Sequence, residues 1–62
     1  MLIEDLKDIL TSKVKLMYKL FGDYEYELDE AVSIDELINQ GYGKNKIYRI
    51  FVFRCVLHIV IE

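Results

Sequence analysis

Hydrophobic positions fall first at helical and then at strand spacing along this chain. Leu2, Ile3, Leu6, Ile9 and Leu10 recur at i, i+3/4 and i+7/8, with Glu4, Asp5, Lys7 and Asp8 opposite, which predicts an amphipathic helix over residues 2–11. Its early acids suit the positive end of a helix dipole. From Lys13 the period becomes two. Val14, Leu16, Tyr18 and Leu20 share one strand face, and Lys13, Lys15 and Lys19 share the other. Gly22-Asp23 supplies a turn, and Tyr24-Glu25-Tyr26-Glu27-Leu28 alternates again. Placing Tyr24, Tyr26 and Leu28 inward leaves Glu25, Glu27 and Asp29 outward, across from Lys15 and Lys19, in a hairpin of residues 13–29.

Ser33-Ile34-Asp35-Glu36 reads as a capping box, the Ser33 hydroxyl accepting from the Glu36 amide while the Glu36 side chain reaches back. Ile34, Leu37 and Ile38 form the apolar side of a short helix, and Gly41 stands where a left-handed C-terminal residue is needed. Lys46–Phe53 and Val56–Ile61 are rich in β-branched and aromatic residues and predict two more strands. Their turn falls near Arg54-Cys55, without the usual Gly or Asn. Ile3-Glu4-Asp5-Leu6 returns 31 residues later as Ile34-Asp35-Glu36-Leu37, each copy ahead of a hairpin. The order α-β-β-α-β-β predicts an α+β fold of two layers, a four-stranded antiparallel sheet with two short helices on one face. The expected core is Leu6, Ile9, Leu10, Val14, Leu16, Leu28, Ile34, Leu37, Ile50, Leu57 and Ile59.

Composition narrows the picture. The 62 residues are 53% apolar, enough for one small ordered domain over residues 1–62 and too few for a second core. One cysteine, Cys55, excludes an internal disulfide and any Cys-rich zinc framework. Met1-Leu2-Ile3 leads straight into Glu4-Asp5, with no basic segment of a secretory leader. The most apolar stretch, Ile47 to Ile61, is 15 residues long and holds Arg49, Arg54 and His58, whereas a bilayer span needs about 20 apolar residues. No membrane is expected, and a reducing cytoplasm is the expected setting.

Charge is unevenly spread. Residues 1–40 carry ten acids and four bases, while residues 41–62 carry four bases and one acid. Glu25, Glu27, Asp29, Glu30, Asp35 and Glu36 belong to a tract without any base, which reads as a solvated face or as an acidic strip for a basic partner. No basic stripe of the phosphate-gripping kind stands out, so direct nucleic-acid binding loses ground.

Catalytic chemistry finds no foothold. Cys55 and His58 are three apart, so in a strand they point to opposite faces and form neither a metal pair nor a nucleophile–base pair. Gly41-Tyr42-Gly43-Lys44 follows a helix rather than a strand and lacks the glycine spacing of a phosphate loop. Glu25 and Glu27, on an outer strand face, lack the desolvation that raises a general acid's pKa. No enzyme, metal or cofactor is expected. The anomaly is the second hairpin. If Ile50, Val52, Leu57, Ile59 and Ile61 face the helices, then Phe51, Phe53, Val56, His58 and Val60 face away, an apolar surface that predicts a homodimer, with a different protein partner as the alternative.

Leu2-Ile3-Glu4-Asp5-Leu6-Lys7-Asp8-Ile9-Leu10, Ser33-Ile34-Asp35-Glu36-Leu37-Ile38, Ile47-Tyr48-Arg49-Ile50 and Val56-Leu57-His58-Ile59-Val60-Ile61 resemble segments of small uncharacterised proteins of phages and mobile elements of Gram-positive bacteria. The resemblance spans most of the chain and lies mainly in core leucines and isoleucines. It implies a phage accessory protein acting in the host cytoplasm, a group that includes inhibitors of host machinery and of anti-phage defence. It carries over no catalytic residue. The expected function is therefore a small non-enzymatic protein that binds and inhibits or modulates a host protein, a defence component among the candidates. The acidic strip would act as a phosphate mimic against a basic groove. A structural or assembly module of a phage or replication complex is the alternative. A nucleic-acid binder using Lys44, Lys46, Arg49 and Arg54 with Tyr42, Tyr48 and Phe51 is a further one.

Overall fold

The computed structural model describes all 62 residues. Its strands are β1 (Val14–Leu20), β2 (Asp23–Tyr26), β3 (Ile47–Phe53) and β4 (Val56–Ile61), and its helix is α1 (Ile34–Asn39). They form one sheet in the order β2-β1-β4-β3. Both hairpins are antiparallel, but β1 and β4 pair in parallel, Val14 opposite Leu57 and Leu16 opposite Ile59. The sheet is therefore mixed and not wholly antiparallel as the pattern suggested. β4 is central, and His58, Ile59, Val60 and Ile61 are all buried, Ile59 and Ile61 under the helical layer and His58 and Val60 on the opposite face between the flanking strands. The short β2, exposed throughout, and β3 are the edges.

The helix expected over residues 2–11 is a 3-10 turn of four residues, Ile3–Leu6, so the layer over the sheet holds one α-helix and not two. Its amides are drawn elsewhere: Ile3 N–H donates to the Asn45 carbonyl at 3.1 Å and Glu4 N–H to that of Gly43 at 3.0 Å. Asp5 Oδ2 accepts from the Leu2 amide at 2.8 Å. Tied to the segment before β3, the chain buries Ile3 and Leu6 at the three-residue spacing of a 3-10 turn and leaves Ile9 75% exposed. The tetrapeptide repeat has a structural counterpart, since Ile34 and Leu37 of α1 are buried beside Ile3 and Leu6.

These four residues pack on Val14, Leu16, Ile59 and Ile61, with Leu10, Leu28 and Leu57 at the margin. Ile50 lies on this same side opposite Ile59, yet it is 39% exposed, because β3 is an edge strand beyond the cover of the helical layer. Val52 is exposed for the same reason. Ile9 and Ile50 thus leave the expected core, while Ile3 and Ile61 join it.

The helix α1 starts and stops as its residues dictate. Ser33 Oγ accepts from the Glu36 amide at 3.1 Å, but the Glu36 carboxylate turns forward to Gln40 Nε2, also at 3.1 Å, so half of the capping box forms. At the other end Gly41 has φ +98°, and the Tyr42 amide donates to the Leu37 carbonyl and the Gly41 amide to that of Ile38, a Schellman closure. Ser33→Ala is expected to cost about 0.5–2 kcal/mol, read as a lower midpoint in urea with an unchanged slope. No helix is long and apolar enough to cross a membrane.

Candidate functional site

The face of the sheet away from α1 has no covering layer, and the turns decide what it displays. Phe21 and Gly22 both have positive φ, so the first hairpin closes through a two-residue loop that pairs Leu20 with Asp23. Lys19 then lies opposite Tyr24, Tyr18 opposite Glu25 and Met17 opposite Tyr26. Tyr24 and Tyr26 therefore share the open face with Lys15, Met17 and Lys19, and Glu25 and Glu27 lie on the helix side. This reverses the inward tyrosines and outward glutamates of the sequence reading. Leu28 still reaches the core, because the chain leaves β2 after Tyr26 and the strand alternation ends there.

In the second hairpin Phe53 pairs with Val56, Phe51 with His58 and Arg49 with Val60, so the five residues expected on the partner face all share the open side. They are not equally available. His58 and Val60 are buried within the monomer, Phe51 and Val56 are half-buried, and Phe53 is 50% exposed. His58 is covered by its neighbours: Phe51 stacks on it at 5.1 Å between centroids, Phe53 meets it edge-on at 5.8 Å, and Tyr26 lies tilted at 5.8 Å. Its Nδ1 is 2.8 Å from the Val56 carbonyl oxygen, which can only accept, so Nδ1 donates. In the neutral ring Nε2 then accepts from the Tyr26 hydroxyl at 3.1 Å. Both ring nitrogens are thus engaged within the fold.

Cations interleave with these rings. Lys15 Nζ lies 4.9 Å from the Tyr26 centroid, Lys19 Nζ 4.9 Å from that of Tyr48, and the Arg49 and Arg54 guanidinium carbons 5.3 Å from those of Phe51 and Phe53. Lys19 Nζ also donates to Tyr48 Oη at 3.2 Å, a bond that raises the lysine pKa. No Asp or Glu belongs to the strand positions on this face. The chain's one ion pair, Lys44 Nζ to Glu4 Oε1 at 2.9 Å, is elsewhere, and it raises the Lys44 pKa. At one end of the face Lys15, Tyr26, Phe53, Arg54, Val56 and His58 enclose a cleft of about 280 Å³.

The acids occupy other ground. Glu27 Oε1 accepts from Tyr42 Oη at 3.0 Å, a bond that raises the tyrosine pKa, with burial adding to the effect. Asp29 and Glu30 border a shallow depression with Gln40, and Gln40 in turn bonds to Glu36, while Asp35 is exposed beside it on the first turn of α1. Of the residues named for a nucleic-acid reading, Arg49, Arg54, Tyr48 and Phe51 belong to the open face. Lys44 and Tyr42 are engaged with Glu4 and Glu27 instead.

Lys15, Lys19, Tyr24 and Tyr26 were missed as members of one site. The signal that could have found them is turn arithmetic: a two-residue loop matches odd positions of β1 with even positions of β2. No three His, Cys, Asp or Glu side chains gather into a group that could hold a metal ion. Comparison with protein-family models, with curated proteins and with solved structures finds no match for this chain.

Proposed function

We propose that the chain is a small non-enzymatic protein of the phage-accessory kind, which acts in the bacterial cytoplasm by contact with a macromolecule of the host and uses the open sheet face for that contact. The observation that supports this reading is a sheet face carrying partly exposed Tyr24, Tyr26, Tyr48 and Phe53 with cations beside them and no strand acid. Rings left half in water are contact area in reserve, and cations without acid partners select the charge of what lands there.

A second reading places the contact with a host protein on the acidic side. Glu25, Glu27, Asp29, Glu30, Asp35 and Glu36 form a tract without a base, which suits a phosphate mimic in the groove of a nucleic-acid enzyme. An assembly module would use either surface without inhibiting anything.

Expression in a bacterium carrying candidate defence systems, followed by phage challenge, separates these uses. Lys15→Glu with Arg54→Glu is expected to abolish protection of the phage, and Glu25→Lys with Glu27→Lys to preserve it. The opposite pattern would move the contact to the acidic surface. Protection by neither wild type nor variants would favour the assembly role.

Self-association through Phe51, Phe53 and Val56 is the competing use of the open face. Two copies meeting there would oppose Lys15, Lys19, Arg49 and Arg54 of each with no strand acid between them, which weighs against such a pair. Sedimentation at micromolar concentration is expected to give 7.4 kDa. Twice that mass, lost on Phe53→Glu, would restore the dimer.

A further inference from the structure

We infer that the open face is a binding surface for single-stranded nucleic acid, with the cleft between Lys15 and Arg54 as its principal site. The inference rests on the open-face reading above and names the partner for it. The cleft combines aromatic rings, Tyr26 and Phe53, with two cations and contains no acid. An unpaired nucleotide offers both matching features at once, a flat base for stacking and a phosphate for the cations.

Other occupants match only half of this lining. An apolar segment would bury Lys15 and Arg54 without partners, which is costly. A second copy sets cation against cation. An acidic peptide without aromatic residues satisfies the cations but brings no ring to stack on Tyr26 or Phe53. A duplex keeps its bases stacked inside, out of reach of a sheet face, and only its phosphates would be met.

The surface also has length. Lys19 and Tyr48 form a second cation–ring pair four residues along β1 from Lys15, roughly 13 Å away at strand spacing. Arg49 over Phe51 adds another pair on β3. A strand laid along β1 therefore meets cations at both ends of the face, and it needs no sequence preference, because every base has a π-face.

The test is fluorescence anisotropy with labelled oligonucleotides of about 12 nucleotides, within the span of small single-strand sites. Oligothymidine and oligouridine separate DNA from RNA; a duplex of equal length and a polyglutamate peptide are the comparison ligands. Either single strand is expected to bind more tightly than duplex or peptide. With two to four phosphates neutralised, affinity should fall about 7- to 50-fold between about 50 and 200 mM salt. Phe53→Ala should weaken binding roughly 5- to 150-fold, the range for loss of one stacked base. Arg54→Glu, at an exposed position, should weaken it, and Lys15→Glu with Arg54→Glu, where Lys15 is half-buried, should abolish it, with circular dichroism and melting used to check that each variant folds.

Equal binding of duplex or of polyglutamate, or wild-type affinity in the charge-reversed variant, would overturn the inference. If no oligonucleotide binds but that variant still abolishes phage protection, the nucleic-acid partner is wrong and the open-face reading stands. If wild type binds no oligonucleotide and the charge-reversed variant protects phage as wild type does, both fall.

Discussion

Ile59→Ala is expected to leave the protein largely unfolded at room temperature. Ile59 is fully buried on central strand β4, opposite Leu16 on one side and Ile50 on the other, and it packs with Ile3, Leu6, Ile34 and Leu37. Shortening a buried isoleucine to alanine costs about 2–5 kcal/mol, the lost transfer energy plus the cavity left behind. A domain of this size rarely commands more than about 3–5 kcal/mol in total. Only 12 of the 62 residues are buried, so few neighbours can move in to close the gap. The measurement is urea denaturation followed by circular dichroism, where the cooperative transition should vanish or begin in water. Ile9→Ala is the internal control. Ile9 is 75% exposed, so this change should stay within about 0.5 kcal/mol. A large loss at Ile9 would instead revive the amphipathic helix over residues 2–11.

The second hairpin turn should yield the largest gain. Arg54 and Cys55 have φ +52° and +64°, a two-residue loop whose positions favour Asn and Gly. Holding an ordinary L-residue in this left-handed region costs about 1–2 kcal/mol. Cys55→Gly is therefore expected to stabilise the fold by about 1 kcal/mol, with a melting temperature roughly 4–8 °C higher. Adding Arg54→Asn should raise it further. The two substitutions part company at the cleft. Arg54 lines it and Cys55 does not, so the glycine variant should keep oligonucleotide affinity and the double variant should lose much of it. Strain retained beside a contact surface is the expected mark of a turn shaped by binding as well as by folding. A glycine variant that melts no higher than wild type would remove the strain argument.

Much of the fold was legible in the chain because it is written in local chemistry. Ser33 and Gly41 mark the two ends of α1 through bonds made within a few residues. The alternation of Val14, Leu16, Tyr18 and Leu20 announces β1, and the twin tetrapeptides announce the two buried corners over the sheet. Five residues of the open face, Phe51, Phe53, Val56, His58 and Val60, were also readable, since the parity of a hairpin follows from where its turn falls. The first hairpin was read with the wrong parity because apolar character was followed over turn geometry. Tyrosines inward looked like a better core, but a two-residue loop sends them outward. The core gains Ile3 and Ile61 instead, with Leu28 at its margin as expected.

The sequence by itself determined the class of the fold, the number and placement of the strands, and the second helix with its caps, because each depends on spacing and on neighbours close in the chain. Only the tertiary structure decided the parallel pairing of β1 with β4, the shortening of the first helix to a turn, and the gathering of Lys15, Tyr26, Phe53 and Arg54 around one cleft. Pairing between distant strands is chosen by which faces bury most together, a comparison no local window contains. The first helix was cut short by carbonyls of residues 43 and 45, some forty positions away. The charge asymmetry is of the same kind. A chain of net charge −3 can carry a face of cations and rings only because folding puts Glu25 and Glu27 on the other side of the sheet.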